Sequence, residues 1–202
     1  MFEIFKEYIN SKLIVSEDDW MKIESLAMEK TLHKKEYLLK QGSVWRFGAF
    51  VCTGCLRTYR LDTSGHEHTT KFTIDKSWTG DISSIISGKP AVFTTEALED
   101  TTLVLFYNDD FDRICREVTG FQALMNADLR ICMSSIEDRV NVVLSYSAEE
   151  KYHAFMEEYP GLSTRIPQYM IASYLGITPE SLSRLRKQIA GSKIPARLMT
   201  GT

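Results

Sequence analysis

Between Leu32 and Tyr107 no hydrophobic period lasts more than a few residues, and glycine recurs at the breaks. The short apolar or alternating runs are Tyr37-Leu38-Leu39, Phe47-Gly48-Ala49-Phe50-Val51, Leu56-Arg57-Thr58-Tyr59-Arg60-Leu61, Thr69-Thr70-Lys71-Phe72-Thr73-Ile74, Val92-Phe93-Thr94-Thr95 and Thr101-Thr102-Leu103-Val104-Leu105-Phe106. Turn signals separate them at Gly42, Gly54, Asp62-Thr63-Ser64-Gly65, Gly80 and Gly88-Lys89-Pro90. Runs this short leave no room for helices, so the segment predicts a sandwich or barrel of many short strands.

A helical period holds on both sides of this segment. Ser16 followed by Glu17-Asp18-Asp19 reads as a capped helix start, with Trp20, Ile23, Leu26 and Ala27 as its apolar stripe. After Tyr107 a short helix from Asp109 to Val118 is predicted. Gly120 then separates it from a longer helix. In that longer helix Met125, Leu129, Cys132, Ile136, Arg139 and Val143 step by fours and threes, a heptad seam with one charged interruption. Such a stripe can pack on its own barrel or against a second copy. The second reading makes Met125, Leu129, Cys132, Ile136 and Val143 a dimer interface. A further helix runs from Ala148 to Tyr159 and stops at Pro160-Gly161. The expected organisation is α+β: a sandwich or barrel over 1–118, a long helix over 119–147, and a final helical unit over 148–202.

The last unit carries the sharpest pattern. Counting from Gln168, Ile171, Leu175, Ile177, Leu182 and Leu185 form one buried face. Ala172 is small where two helices must cross, and Gly176 sits at a corner that favours positive φ. Thr178 can cap the next helix, and Pro179 fits its first turn. Small, glycine and apolar requirements coincide at the fixed offsets of a helix-turn-helix. The polar side of its second helix is Glu180, Ser181, Ser183, Arg184, Arg186, Lys187 and Gln188. Arg184 is the candidate for a bidentate guanine contact, and Glu180 can accept from a cytosine amino group. Ser181, Ser183, Arg186 and Lys187 suit phosphates or rim base edges, and Gln168 and Thr178 stand at helix starts where phosphate binds.

Charge distribution agrees. The whole chain carries a formal charge of -3, yet Ser163 to Thr202 holds six basic residues against the single acid Glu180. A basic end on an acidic body points to a polyanionic partner. No apolar run is long enough to cross a bilayer, and Met1 to Glu7 lacks the layout of an export signal, so no membrane role and a cytoplasmic location are expected. The four cysteines are too few for a disulfide scaffold. Cys52-Thr53-Gly54-Cys55 reads as a hairpin turn at Gly54 flanked by two thiols, and the other half of a metal site is missing. His66-Glu67-His68 has the spacing of some metal-dependent barrel enzymes but lacks further ligands, and no Ser-His-Asp set or phosphate-binding glycine loop exists. The chain is therefore not expected to be an enzyme, nor to hold a metal or cofactor. A module that docks protein partners instead of DNA is the other alternative.

The helical start, glycine-cut barrel, seam helix and terminal helix-turn-helix resemble the Crp/Fnr family of bacterial transcription regulators. The phrases Ala148-Glu149-Glu150-Lys151-Tyr152, Ile166-Pro167-Gln168 and Ile171 to Arg184 are similar to the branch common in Bacteroidetes. The resemblance implies a double-stranded β-helix (jelly-roll) sensor barrel over 1–118, a dimerisation helix over 119–147 and a helix-turn-helix DNA-binding domain over 148–202. With them it implies a homodimer on a near-palindromic double-stranded DNA site, RNA polymerase as a further partner and a small-molecule effector in the barrel. Glu180 and Arg184 match the family's base-reading pair, while Pro179 stands where cyclic-AMP receptors often carry arginine. Gly80, Asp81 and Ile82 match the effector loop, with a shorter acid, and Thr94 and Thr95 fall in its second half. That half, Pro90 to Ala97, has no arginine or lysine for a cyclic phosphate, and Glu96 would repel one. Cyclic AMP is therefore not the expected effector. No cysteine cluster precedes Cys52, as oxygen sensing would need. None of His33, His66, His68 and His153 is favoured as a haem ligand. The family's β-hairpin wing is expected to be truncated or absent after the reading helix, leaving Lys193 and Arg197 as loose phosphate contacts.

Overall fold

A computed structural model describes residues 1–191. They divide into two compact units, one ending at Ile136 and the other beginning at Glu137. The tail with Lys193 and Arg197, and with it any wing, lies outside the described residues.

The first unit opens with helices α1 (Phe2–Asn10) and α2 (Glu17–Leu26). Ser16 caps α2 as anticipated, its side chain accepting from the Asp19 amide. Eight strands follow: β1 (Met28–Leu32), β2 (Tyr37–Leu39), β3 (Phe47–Thr53), β4 (Cys55–Leu61), β5 (Glu67–Ile74), β6 (Ser77–Thr79), β7 (Thr94–Ala97) and β8 (Thr101–Tyr107). A short helix α3 (Ile82–Ser87) lies between β6 and β7. One antiparallel sheet has the order β1-β8-β3-β6 and the other β2-β7-β4-β5. Strand alternation sends Ala49, Val51, Leu103 and Leu105 into one core with Leu38, Leu56 and Ala97 of the second sheet. The intervening residues Phe50, Cys52, Val104 and Phe106 face a second core built with Phe2, Phe5, Ile9, Trp20 and Ile23. Both faces of β3 and β8 are thus buried, which is why Leu103 to Phe106 is an unbroken apolar run.

β1, β6 and α3 were not legible beforehand, and β7 begins at Thr94 rather than Val92. The expected hairpin at Gly54 is corrected. β3 and β4 belong to different sheets, so Gly54 is the corner where the chain crosses between them. Its φ is +112°, and a Cβ there would lie 2.5 Å from Thr101 Oγ1 and 2.7 Å from Thr101 Cα. Only glycine meets both conditions. Cys52 and Cys55 are buried thiols on either side of this corner, and burial pushes the Cys52 thiol up to about 11.

Helix α4 (Asn108–Glu117) and the 25-residue α5 (Phe121–Ser145) follow. Tyr8 donates to Asp128 Oδ2 at 2.7 Å and Lys12 Nζ to Asp128 Oδ1 at 2.7 Å, tying α1 to the early part of α5. The second unit adds α6 (Ala148–Glu158), α7 (Leu162–Arg165), α8 (Gln168–Leu175) and α9 (Pro179–Gly191). Ser147 and Glu150 form a capping box at the start of α6. Tyr152, Phe155, Tyr159, Leu162, Ile171, Ala172, Leu175, Leu182 and Leu185 make the unit's core.

Candidate nucleic-acid interface

The helix-turn-helix is built as its spacing requires. α8 ends at Gly176, whose φ of 70° lets the chain reverse, and the Ile177 amide donates back to the Ala172 carbonyl at 3.0 Å. Thr178 Oγ1 accepts from the Ser181 amide at 3.2 Å and caps α9. Ala172, Leu175, Leu182 and Leu185 are buried, whereas Ile177 is only half-buried. The opposite side of α9 is therefore turned outward by core packing.

Glu180, Ser183, Arg184, Arg186 and Lys187 are exposed on α9, and Ser181 is half-buried at the edge. Glu180, Arg184 and Lys187 stand at i, i+4 and i+7 and form one ridge. Among the described residues the hydrogen bond that Arg184 makes is a long 3.4 Å contact to Ser181 Oγ, so its guanidinium can reach a partner. The Glu180 carboxyl is held below its ordinary range, chiefly by its own backbone N–H and then by Thr178. Gln168, Pro179, Ser183, Arg186 and Lys187 line an open recess of about 320 Å3 between the starts of α8 and the flank of α9. Gln168 Nε2 donates to the Ser163 carbonyl at 3.1 Å, and Gln168 Oε1 is buried without a partner among the described residues. Pro167 is the N-cap residue of α8 and supplies no side-chain cap.

On α5, Met125 packs partly against the aromatic core, while Leu129, Cys132, Ile136 and Val143 are exposed. Met133, Val140 and Leu144 are exposed beside them and extend the stripe. Arg139 departs from it. Its guanidinium carbon sits 3.8 Å from the Tyr174 ring centroid, and an N–H donates to the Tyr174 carbonyl.

The residues matched to the effector loop are dispersed. Asp81 caps α3, accepting from the Ser84 amide at 2.9 Å, and its Oδ2 is buried without a partner among the described residues. Gly80 lies beside Ile85, and Ile82 is exposed. Thr94 and Thr95 are buried neighbours on one strand, so they point to opposite faces. Thr94 Oγ1 accepts from the Gln41 amide at 3.0 Å, and Thr95 Oγ1 shares a 3.0 Å hydrogen bond with Thr58 Oγ1. Only one of the two can face any one ligand. On the Thr94 face lies a group that sequence reasoning missed. Arg57 is 0% exposed and donates to Glu67 at 2.6 Å, Glu96 at 3.1 Å and Thr69 at 2.8 Å. Burial, reinforced by Glu96 and Glu67, pushes the nearby Tyr59 phenol up. Glu96 thus already has a cationic partner.

His68 Nε2, at the start of β5, lies 2.9 Å and His66 Nδ1 3.6 Å from Asp62 Oδ2 of the preceding turn, with both histidines exposed. The His68 contact leads in pulling the Asp62 carboxyl down to about 2. Among the described residues no group of three or more His, Cys, Asp or Glu side chains is arranged to hold a metal ion. No helix among them is long and apolar enough to cross a membrane.

Residues 29–118 match the model of the cyclic nucleotide-binding domain. Over 168 residues the chain is 24% identical to the regulatory protein HlyX of Actinobacillus pleuropneumoniae, covering 78% of this chain and 69% of that protein. Its fold is similar to that of a regulator assigned to the Crp/Fnr family from Eubacterium rectale (TM-score 0.68, 18% identity, 92% of this chain and 88% of that one). It is also similar to FixK2 of Bradyrhizobium japonicum (TM-score 0.64, 22% identity, 82% and 85%). A barrel that matches the cyclic nucleotide-binding domain, leading through a long helix into a helix-turn-helix, is the arrangement on which the resemblance to the Crp/Fnr family rested.

Proposed function

We propose that the protein is a transcription regulator that binds double-stranded DNA as a homodimer, laying α9 of each copy in a major groove. The observation that carries this reading is the outward ridge Glu180, Arg184 and Lys187 on a helix whose back is locked by Leu182 and Leu185. Arg184 reads guanine and Glu180 reads cytosine on base edges. Arg186, Lys187 and Ser183 line a recess beside the first turn of α8, whose leading N–H groups lack a side-chain cap. A backbone phosphate supplies the missing acceptor there and meets the two cations. The exposed stripe Leu129, Cys132, Ile136, Val140 and Val143 is the face that a second copy covers.

The barrel senses a small molecule other than cyclic AMP. A buried phosphate without a cation is very costly, and Arg57 is committed to Glu67 and Glu96. Titration calorimetry with cyclic AMP should show no binding at micromolar concentrations, and a tight isotherm would contradict this part of the reading. RNA polymerase is the partner through which such a DNA-bound dimer acts on transcription.

Salt dependence tests the DNA claim. Replacing Arg186 and Lys187 together by alanine removes two cations per copy, so the slope of log affinity against log salt should become shallower by about 3 to 4 for a dimer. An unchanged slope, or no binding of any duplex in dilute buffer, would overturn the assignment.

A further inference from the structure

We propose that Arg139 is a positioning residue that sets the direction in which α9 is presented relative to α5. The inference rests on the DNA-binding reading above and adds the joint that aims the reading helix. Arg139 lies three residues after Ile136 and four before Val143, which puts it on the apolar side of α5. A cation between two copies there would lose its water without a partner. Instead it is half-buried within its own chain, stacked on Tyr174 and donating to the Tyr174 carbonyl.

Tyr174 is the penultimate residue of α8, and its carbonyl is one of the last-turn acceptors that a helix leaves open. A cation at that end also complements the helix dipole. Two residues further on, Gly176 makes the corner, and α9 starts at Pro179. From the other side Tyr174 is gripped by α6 and the residue that ends it. Its hydroxyl donates to Glu158 Oε2 at 2.9 Å, and its ring stands 5.7 Å from Phe155 and 5.9 Å from Tyr159. Arg139 therefore holds a rigid part of the helix-turn-helix. Without it, the covalent link between α5 and α6 is the two-residue pivot Tyr146-Ser147. Lysine keeps the charge but lacks the planar fork that stacks and donates together.

The test uses the full chain and a duplex that the wild type selects from a random pool. Adding or removing one base pair between the half-sites turns one half-site by about 34°. The wild type should lose about tenfold or more in affinity on such duplexes. Arg139→Ala and Arg139→Lys should each lose less than about threefold relative to their own best spacing, with the dimer intact by light scattering. Tyr174→Phe keeps the ring and the carbonyl and should discriminate like the wild type. Spacing preference is a geometric readout that a loss of stability would not move. Variants as selective as the wild type would overturn the proposal. Arg139→Lys keeps the test open should the alanine variant fail to fold. A second arm does without DNA: spin labels at Asn141→Cys and Ser183→Cys, in a background with Cys115 and Cys132 replaced by serine and diluted with unlabelled protein. One narrow distance should broaden when Arg139 is changed. An unchanged distribution overturns the proposal even if no duplex is selected, an outcome that would by itself sink only the DNA-binding reading.

Discussion

Changing Ile136 to glutamate tests the α5 stripe. Ile136 is 58% exposed, so most of its side chain has yet to find a neighbour. Full burial of such a side chain is worth about 1.5–3 kcal/mol. Covering the exposed share contributes roughly 1–2 kcal/mol per copy, or roughly 2–4 kcal/mol for both. That sets a floor, because two carboxylates would also face each other across the axis in a water-poor seam. The dimer dissociation constant should therefore rise by roughly 30-fold to roughly 1,000-fold. Sedimentation equilibrium over a dilution series measures it. Ile131→Glu is the control. Ile131 is 66% exposed but lies five residues back, about 140° round the helix at 100° per residue. It should leave the constant unchanged. Equal weakening by both changes, or an unaltered dimer with glutamate at 136, would refute the seam.

Arg184→Ala should leave the unfolding free energy within about 0.5 kcal/mol of the wild type, because the side chain is exposed. Discrimination between selected and random DNA should fall by about 1–3 kcal/mol per half-site in competition binding, and preserved selectivity would remove Arg184 from the reading role. Gly54→Ala combines a positive φ with a 2.5 Å approach to Thr101. It should cost roughly 2–5 kcal/mol in urea unfolding, and a neutral outcome would contradict the sheet-crossing corner. For pH, the folded-state values of Asp62, Glu150 and Glu180 lie below their ordinary ones, Asp62 at about 2. The stability they contribute is present above the unfolded values near ~4 and is lost as pH falls towards 2. Burial raises the Tyr159 and Tyr174 phenols, so their contribution is lost as pH rises above ~10. Urea midpoints that stay flat from pH 5 to 2 would contradict the first half of this expectation.

The helix-turn-helix was legible because its determinants are local. Ala172, Gly176, Thr178 and Pro179 each satisfy a requirement set by residues within two turns. The strands were legible for the same reason, through their glycine breaks. What failed is what long-range pairing decides. Gly54 announces a turn in the sequence, but whether the flanking strands pair depends on β5, β7 and β8, tens of residues away. Arg57 reads as a solvated position in an alternating strand. It is buried because Glu96 lies directly across on β7 and Glu67 begins β5. Thr94 and Thr95 matched a family segment as a pair, yet adjacent residues of a strand cannot share a face. Heptad spacing placed Arg139 on the seam, while Tyr174 draws it to α8. The run β1, β6 and α3 was missed because three to six residues carry too little periodicity to separate from a loop.

Selection of duplexes from a random pool by the full chain tests the central claim most directly. Paired α9 helices predict enrichment of an inverted repeat whose half-sites are centred about 10–10.5 base pairs apart, or a multiple of that. A pool that stays random after repeated rounds at low salt, or that yields a single unrepeated half-site, would contradict it.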